Sequence, residues 1–216
     1  GIKANELIAT DPSIGLHFNA LSAEFNYTTN IIKCEGVRFI ESGDAAIFPH
    51  EGKVTIHERC KLERLNNARL LANRTDKYHE LHDCTINLYT VTRFRGSGFY
   101  DYIDENQSIQ TLYFDTLWCI KNTEGHAKIP MEKNFKLSPH FGFDGRAELH
   151  GENQFLSFFG GVEIIHDCNK TQPARMKILQ QVCPNNIQLE VHERTKDIID
   201  RKVVIAIASA NTDGRI

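Results

Sequence analysis

Residues 109–118 read Ile-Gln-Thr-Leu-Tyr-Phe-Asp-Thr-Leu-Trp. Leu112, Phe114 and Trp118 fall on one side at a period of two, with Tyr113 and Asp115 on the other. That alternation specifies a β-strand with one buried face, and it is incompatible with a helix. Residues 162–168 alternate in the same way, grouping Val162, Ile164, His166 and Cys168. Residues 187–192 and 202–208 continue the pattern, and the second is Val/Ile-rich like a strand buried on both faces. Residues 54–57 and 86–92 are strand candidates in the first half. One stretch, 61–74, has helical spacing: Leu62, Leu65, Ala68 and Leu71 or Ala72 recur at three- and four-residue steps among good helix formers. Asn73 suits its exit. Phe143-Asp-Gly-Arg and His50-Glu-Gly-Lys read as turns, the Asp-Gly pair as a hairpin. The expected chain is mostly β, with one short helix in its N-terminal half.

At ~100–200 residues per domain, 216 residues allow one large domain or two small ones. Gly96-Ser97-Gly98 and the polar run 102–107 place a break near residue 105. Two β-rich domains, 1–104 and 105–216, follow. A hydrophobic content of 41% supplies a core. Lys and Arg total 25 against 28 Asp and Glu, net −3. That balance supplies no general attraction for a phosphate backbone, so a nucleic-acid partner is not expected. The apolar run 203–208 falls far short of the ~18–20 residues of a transmembrane helix.

Six cysteines, Cys34, Cys60, Cys84, Cys119, Cys168 and Cys183, form an even set without a Cys-x-x-Cys pair. Four N-x-[ST] sequons, at Asn26, Asn73, Asn106 and Asn169, accompany them. Even cysteines with surplus sequons point to a secreted, disulfide-linked glycoprotein. Six cysteines allow about fifteen pairings. His82-Asp83-Cys84 recurs as His166-Asp167-Cys168, and each copy follows another cysteine, Cys34 or Cys119, at nearly equal spacing. If the echo is a duplicated β-domain, Cys34–Cys84 and Cys119–Cys168 are its natural bridges. Each would close a long loop, worth roughly 4 kcal/mol on chain-entropy grounds.

The C-terminal half, residues 107–208, resembles the nematode transthyretin-like family. The matching features are a strand ending in Cys119, a short turn with Gly from Phe143 to Gly151, and Val162-Glu-Ile-Ile-His-Asp-Cys-Asn169. Pro173, Arg175, Lys177 and the run from Cys183 follow. The resemblance implies a secreted β-sandwich bridged through Cys119–Cys168, in a family of extracellular binding proteins without established catalysis. Some members bind lipid head groups or bridge to surface receptors. With Cys34–Cys84 and Cys119–Cys168 paired, Cys60 and Cys183 are left to each other.

Chemistry-bearing residues are sparse. His79-Glu-Leu-His-Asp-Cys84 packs metal-ligand types together, but strand geometry sends His79 and Asp83 to one side and His82 and Cys84 to the other. No metal site or cofactor is expected. Transthyretin-superfamily hydrolases end in Tyr-Arg-Gly-Ser. Phe94-Arg95-Gly96-Ser97 looks similar, but it lies mid-chain and lacks the phenol. Phe155, Phe158 and Phe159 read as core. Lys170, Arg175 and Lys177 form the cluster best suited to an anionic partner. The expected function is noncatalytic extracellular binding of a protein receptor or anionic lipid surface. A structural ectodomain of a cell- or virus-surface glycoprotein and a superfamily hydrolase are the alternatives.

Overall fold

The computed structural model describes residues 2–11, 15–165 and 175–181, of which 2–11, 164 and 175–181 are described by backbone alone. Among these residues the fold is almost entirely antiparallel β, as the alternation requires, with no α-helix and three short 3₁₀ turns. One sheet has the order β1 (Ile2–Asp11), β2 (Leu16–Asn26), β3 (Ile31–Glu35), β6 (Val54–His57), β7 (Lys61–Leu62). A longer sheet starts from β4 (Ile40–Ser42) and β5 (Ala45–Phe48). It continues through β8 (Leu65–Leu71), β9 (Glu80–Thr90), β10 (Arg93–Ile103) and β11 (Ile109–Cys119). Next come β12 (Thr123–Ile129), β14 (Phe141–His150), β15 (Ser157–Ile164) and β16 (Arg175–Gln181), with β13 (Lys136–Ser138) also pairing β14.

The expected helix over 61–74 is instead β7 and β8, and the reason is local. Asn67 adopts a left-handed backbone, φ 52°, and the pairing of β8 with β9 slips on both sides of Ala68. The bulge inserts an extra residue and resets the two-residue phase. Leu65, Ala68 and Leu70 therefore all turn inward and are buried. A bulged strand thus reproduces the three-residue apolar spacing of a helix.

Phe143-Asp-Gly-Arg also departs from expectation. It lies inside β14, with Asp144 opposite Gly161 and Gly145 opposite Gly160. Gly145 holds φ 148°, and a Cβ there would collide with the Phe159 carbonyl oxygen. The glycine marks close strand approach, not a hairpin. The His50 turn does form, as a 3₁₀ turn over His50–Gly52.

The chain divides into two compact units. The first comprises the described chain to Tyr100, with Tyr113–His126 and Leu149–Gln154. Its core includes Phe18, Ile40, Ile47, Leu70, Leu81, Ile86, Phe94 and Leu117. The second takes Asp101–Leu112, Ala127–Glu148 and the described residues from Phe155 on. It is built on aromatics. Phe158 meets Tyr102 at 5.8 Å and Phe143 at 5.2 Å in edge-to-face geometry, and stacks with Phe135 at 6.0 Å. Tyr102 satisfies its hydroxyl by donating to the Leu137 carbonyl at 2.8 Å. Phe158 is core as expected, whereas Phe155 and Phe159 are half-buried, Phe159 lying under the Arg146 guanidinium. Phe158→Ala is expected to cost about 3–5 kcal/mol of unfolding free energy through lost transfer and a residual cavity. Phe159→Ala should cost clearly less. Denaturant unfolding of the two variants measures the difference, and equal losses would contradict this core.

Candidate functional site

Burial disfavours the thiolate form of the buried cysteines. It raises the ionisation of Cys34 and Cys119 and pushes Cys84 up to about 12, and the thiolate is the form that attack or metal binding needs. Cys34 and Cys84, expected from the echo to be bridged, are instead separate thiols on different sheets. Cys34 is a thiol on β3 with Ala23 and Val54 as strand partners. Cys84 is a thiol on β9 opposite Ala68. Cys119, at the end of β11, directs its Sγ to the Ser42 carbonyl and the Asp44 carboxylate, each at 3.9 Å. Cys60 is exposed on the β6–β7 tip. Cys168 and Cys183, the partners expected for Cys119 and Cys60, lie outside the described residues, as does the second His-Asp-Cys copy.

The histidines of 79–84 are directed apart. His79 is fully buried, its Nε2 2.8 Å from the Asn153 carbonyl and its Nδ1 3.3 Å from the Tyr100 hydroxyl. The carbonyl can only accept, so Nε2 carries the proton and Tyr100 donates to Nδ1. His82 points to the Asp83 carboxylate at 2.8 Å and stacks on Phe99. Asp83, at φ 47°, bulges outward, so His82 and Cys84 do not share a side as strict alternation requires.

Three sequons lie in turns. Asn26 and Asn106 are exposed, and Asn73 is half-buried with its amide donating to Asp76 at 3.1 Å. Asn169 and Lys170 lie outside the described residues. Arg175 and Lys177 are placed on β16 opposite Glu163 and Gly161.

The pair of exposed arginines that the structure brings to a recess is elsewhere, on the outward side of β9, β10 and β11, which also carries the exposed Asp83 and Asp115. Phe94 and Tyr102 turn inward from β10, which sends Arg93, Arg95 and Phe99 outward. On β11, Asp115 and Thr116 are both exposed, so the phase shifts by one residue. Leu117 and Cys119 then face the core, and Trp118, expected inside with Leu112 and Phe114, is carried out. Tyr89, Arg93, Arg95, Trp118 and the exposed Ile120 rim a recess of about 40 Å³ floored by Phe94 and Cys119. Arg64 donates from Nε to Asn87 at 3.1 Å, and Asn87 is the strand partner of Arg95. Among the described residues, neither Arg93 nor Arg95 has an ion pair or side-chain hydrogen bond. Farther along the face, Phe99 stands between His82 at 6.0 Å and Tyr113 at 4.9 Å. Trp118 meets the His126 ring edge-on at 4.9 Å.

The turn behind the recess is locked. Thr123 donates its hydroxyl to Asp44 at 2.6 Å, and the Asp44 amide donates to the Lys121 carbonyl at 3.2 Å. Desolvation raises the Asp44 carboxyl, and the Thr123 hydrogen bonds oppose it. A Cβ at Gly43 would collide with Cys119 Sγ. The sequence signal for this site was the spacing Tyr89, Arg93, Arg95. Linear motifs reach only Arg95, within Phe94-Arg95-Gly96-Ser97.

Burial also lowers the ionisation of His79, with the neighbouring His150 contributing. Its folded value lies below its unfolded one, so its contribution to stability is complete above about pH 6.5 and is lost as pH falls below that. The melting temperature should therefore drop between pH 7 and 5, by about 2–4 °C per kcal/mol lost. His79→Gln should show a shallower drop over the same range; an unchanged slope would remove His79 as the cause.

Comparison with known proteins returns no matching family model, no matching curated protein and no matching solved structure.

Proposed function

We propose that this chain is a secreted glycoprotein that binds and does not catalyse, and that it meets an anionic partner through the outward face of β9–β11. The observation that carries the reading is the pair Arg93 and Arg95. Among the described residues, these two exposed guanidinium groups have no carboxylate partner, and they lie beside Tyr89 and Trp118 on a chain whose net charge is −3. Uncompensated arginines beside amphipathic rings favour association over folding, because surface charges add little to stability alone. The buried thiols of Cys34 and Cys84, whose thiolate forms burial disfavours, favour binding over nucleophilic chemistry. The hydrolase alternative loses support because Phe94 is core, 1% exposed, and cannot act as a reacting group.

The secretory part of the reading rests on the sequons and on the accessibility of Asn26 and Asn106. The transthyretin-like part rests on the residues quoted above. Cys119–Cys168 and Cys60–Cys183 belong to it as proposed bridges. A noncatalytic ectodomain role fits the same face.

Trp118 is the chain's single tryptophan, so its emission reports on the recess. At least one of polyglutamate, heparin and phosphatidylserine vesicles should shift that emission saturably. The shift should weaken with added salt and disappear in the Arg93→Glu/Arg95→Glu variant. Silence with all three would end the binding proposal. Expression through a secretory host should yield glycan at Asn26 or Asn106, seen as a mobility change on glycosidase treatment. Unmodified protein from such a host would count against the secretory part.

A further inference from the structure

We infer that the ligand of this face is a sulfated polysaccharide, with Arg93 and Arg95 gripping one sulfate at a time; this rests on the binding role proposed above. The recess measures about 40 Å³, whereas pockets that enclose a small molecule are on the order of 300–1,000 Å³. It can receive one group of a ligand, not a whole one. The rest of the ligand must lie across the open face, which describes a polymer with repeated anionic substituents.

The cations select the substituent. Arg93 and Arg95 are two residues apart on one strand, so their side chains rise from points roughly 7 Å apart and can converge on one group. Guanidinium presents a planar fork of donors to an oxyanion and is weakly hydrated, so it is suited to an oxygen-rich anion held at the surface. Arg64, linked to Asn87 across from Arg95, places a third cation along the same row. Asp115, three residues before Trp118, accepts a hydrogen bond from Thr116 at 2.8 Å.

The surroundings select the backbone of the polymer. Tyr89, Trp118 and Ile120 border the arginines with apolar area and polar ring tips. A pyranose ring, with C–H faces and hydroxyl edges, complements that mixture. An extended acidic peptide would dock by extending a sheet, but β9, β10 and β11 are interior strands and offer no free edge. Single-stranded nucleic acid needs open ring faces for base stacking. The faces of Phe99 are turned to His82, at 23° between planes, and to Tyr113, at 41°.

The test uses the whole chain and Trp118 emission. A heparin oligosaccharide is titrated against its N-acetylated, O-desulfated counterpart. The sulfated form should bind at least tenfold more tightly. Arg93→Ala/Arg95→Ala should weaken it at least tenfold with an unchanged melting temperature. The log–log salt slope should fall by about two, one per lost cation. Arg93→Lys/Arg95→Lys, which keeps charge without the fork, should recover only part of the affinity. Equal binding of the desulfated sugar would overturn the inference. So would an equal response to oligo-dT or phosphatidylserine vesicles at matched charge, full recovery by lysine, or no response to heparin. If polyglutamate binds and heparin does not, the anion-binding role stands and the sulfated ligand fails. If no polyanion binds, both fail.

Discussion

The hydrogen bond from Thr123 to Asp44 fixes where β11 ends, and the face presented by β9–β11 depends on it. Asp44 sits half-buried in the β4–β5 turn, and its carboxylate takes the Thr123 hydroxyl at 2.6 Å. Without that donor, a desolvated carboxylate would lack a hydrogen bond, a deficit of about 1–3 kcal/mol. Gly43 is the residue that permits the contact. It holds φ 61°, its amide donates to the Val91 carbonyl at 2.7 Å, and its missing side chain leaves room for Cys119 Sγ. Gly151 does the same from another loop, its amide donating to the Thr123 carbonyl at 2.8 Å. With Cys119 held inward by this knot, the preceding Trp118 and the following Ile120 are committed to the other side. The polar interaction in the interior therefore sets the apolar border of the exterior site.

Bulges decide most of what faces out. Strict alternation along β11 sends Trp118 inward with Phe114. The consecutive exposed pair Asp115–Thr116 reverses that, and Leu117 fills the core position instead. Asn67 on β8 and Asp83 on β9 act similarly through left-handed backbone. A bulge costs local pairing but re-aims every residue beyond it. In this sheet the re-aiming brings an aromatic residue beside two arginines that alternation alone had already placed outward.

This explains which features were legible in the sequence. Strands with uninterrupted alternation were: 54–57 is β6, and Leu112 and Phe114 are buried with Tyr113 and Asp115 outside. Residues 61–74 misled because Asn67 lets apolar residues three apart share a strand face, and nothing in Asn66-Asn67 distinguishes that bulge from a polar helix face. Asp144-Gly145 misled because glycine serves close strand approach as readily as a turn. The site was half legible. Arg93 and Arg95 flank a buried Phe94, but Trp118 enters only through the β11 slip. Tyr89 joins it from across the sheet through pairing that linear spacing does not encode.

The two kinds of titratable group in the first unit are segregated by this arrangement. Groups whose ionisation burial disfavours, His79, Cys84 and Tyr100, are packed inward, where they contribute as neutral hydrogen-bonding or apolar bodies. Arg64, Arg93 and Arg95 stand on the solvent side. Strand residues whose charged form burial disfavours lie inward while their neighbours stand on the solvent side, because each strand residue must choose one side. The sheet can concentrate cations on one small patch of a net-acidic chain without burying a single one. The field at that patch is then set by guanidinium groups that the strand phase leaves on the solvent side.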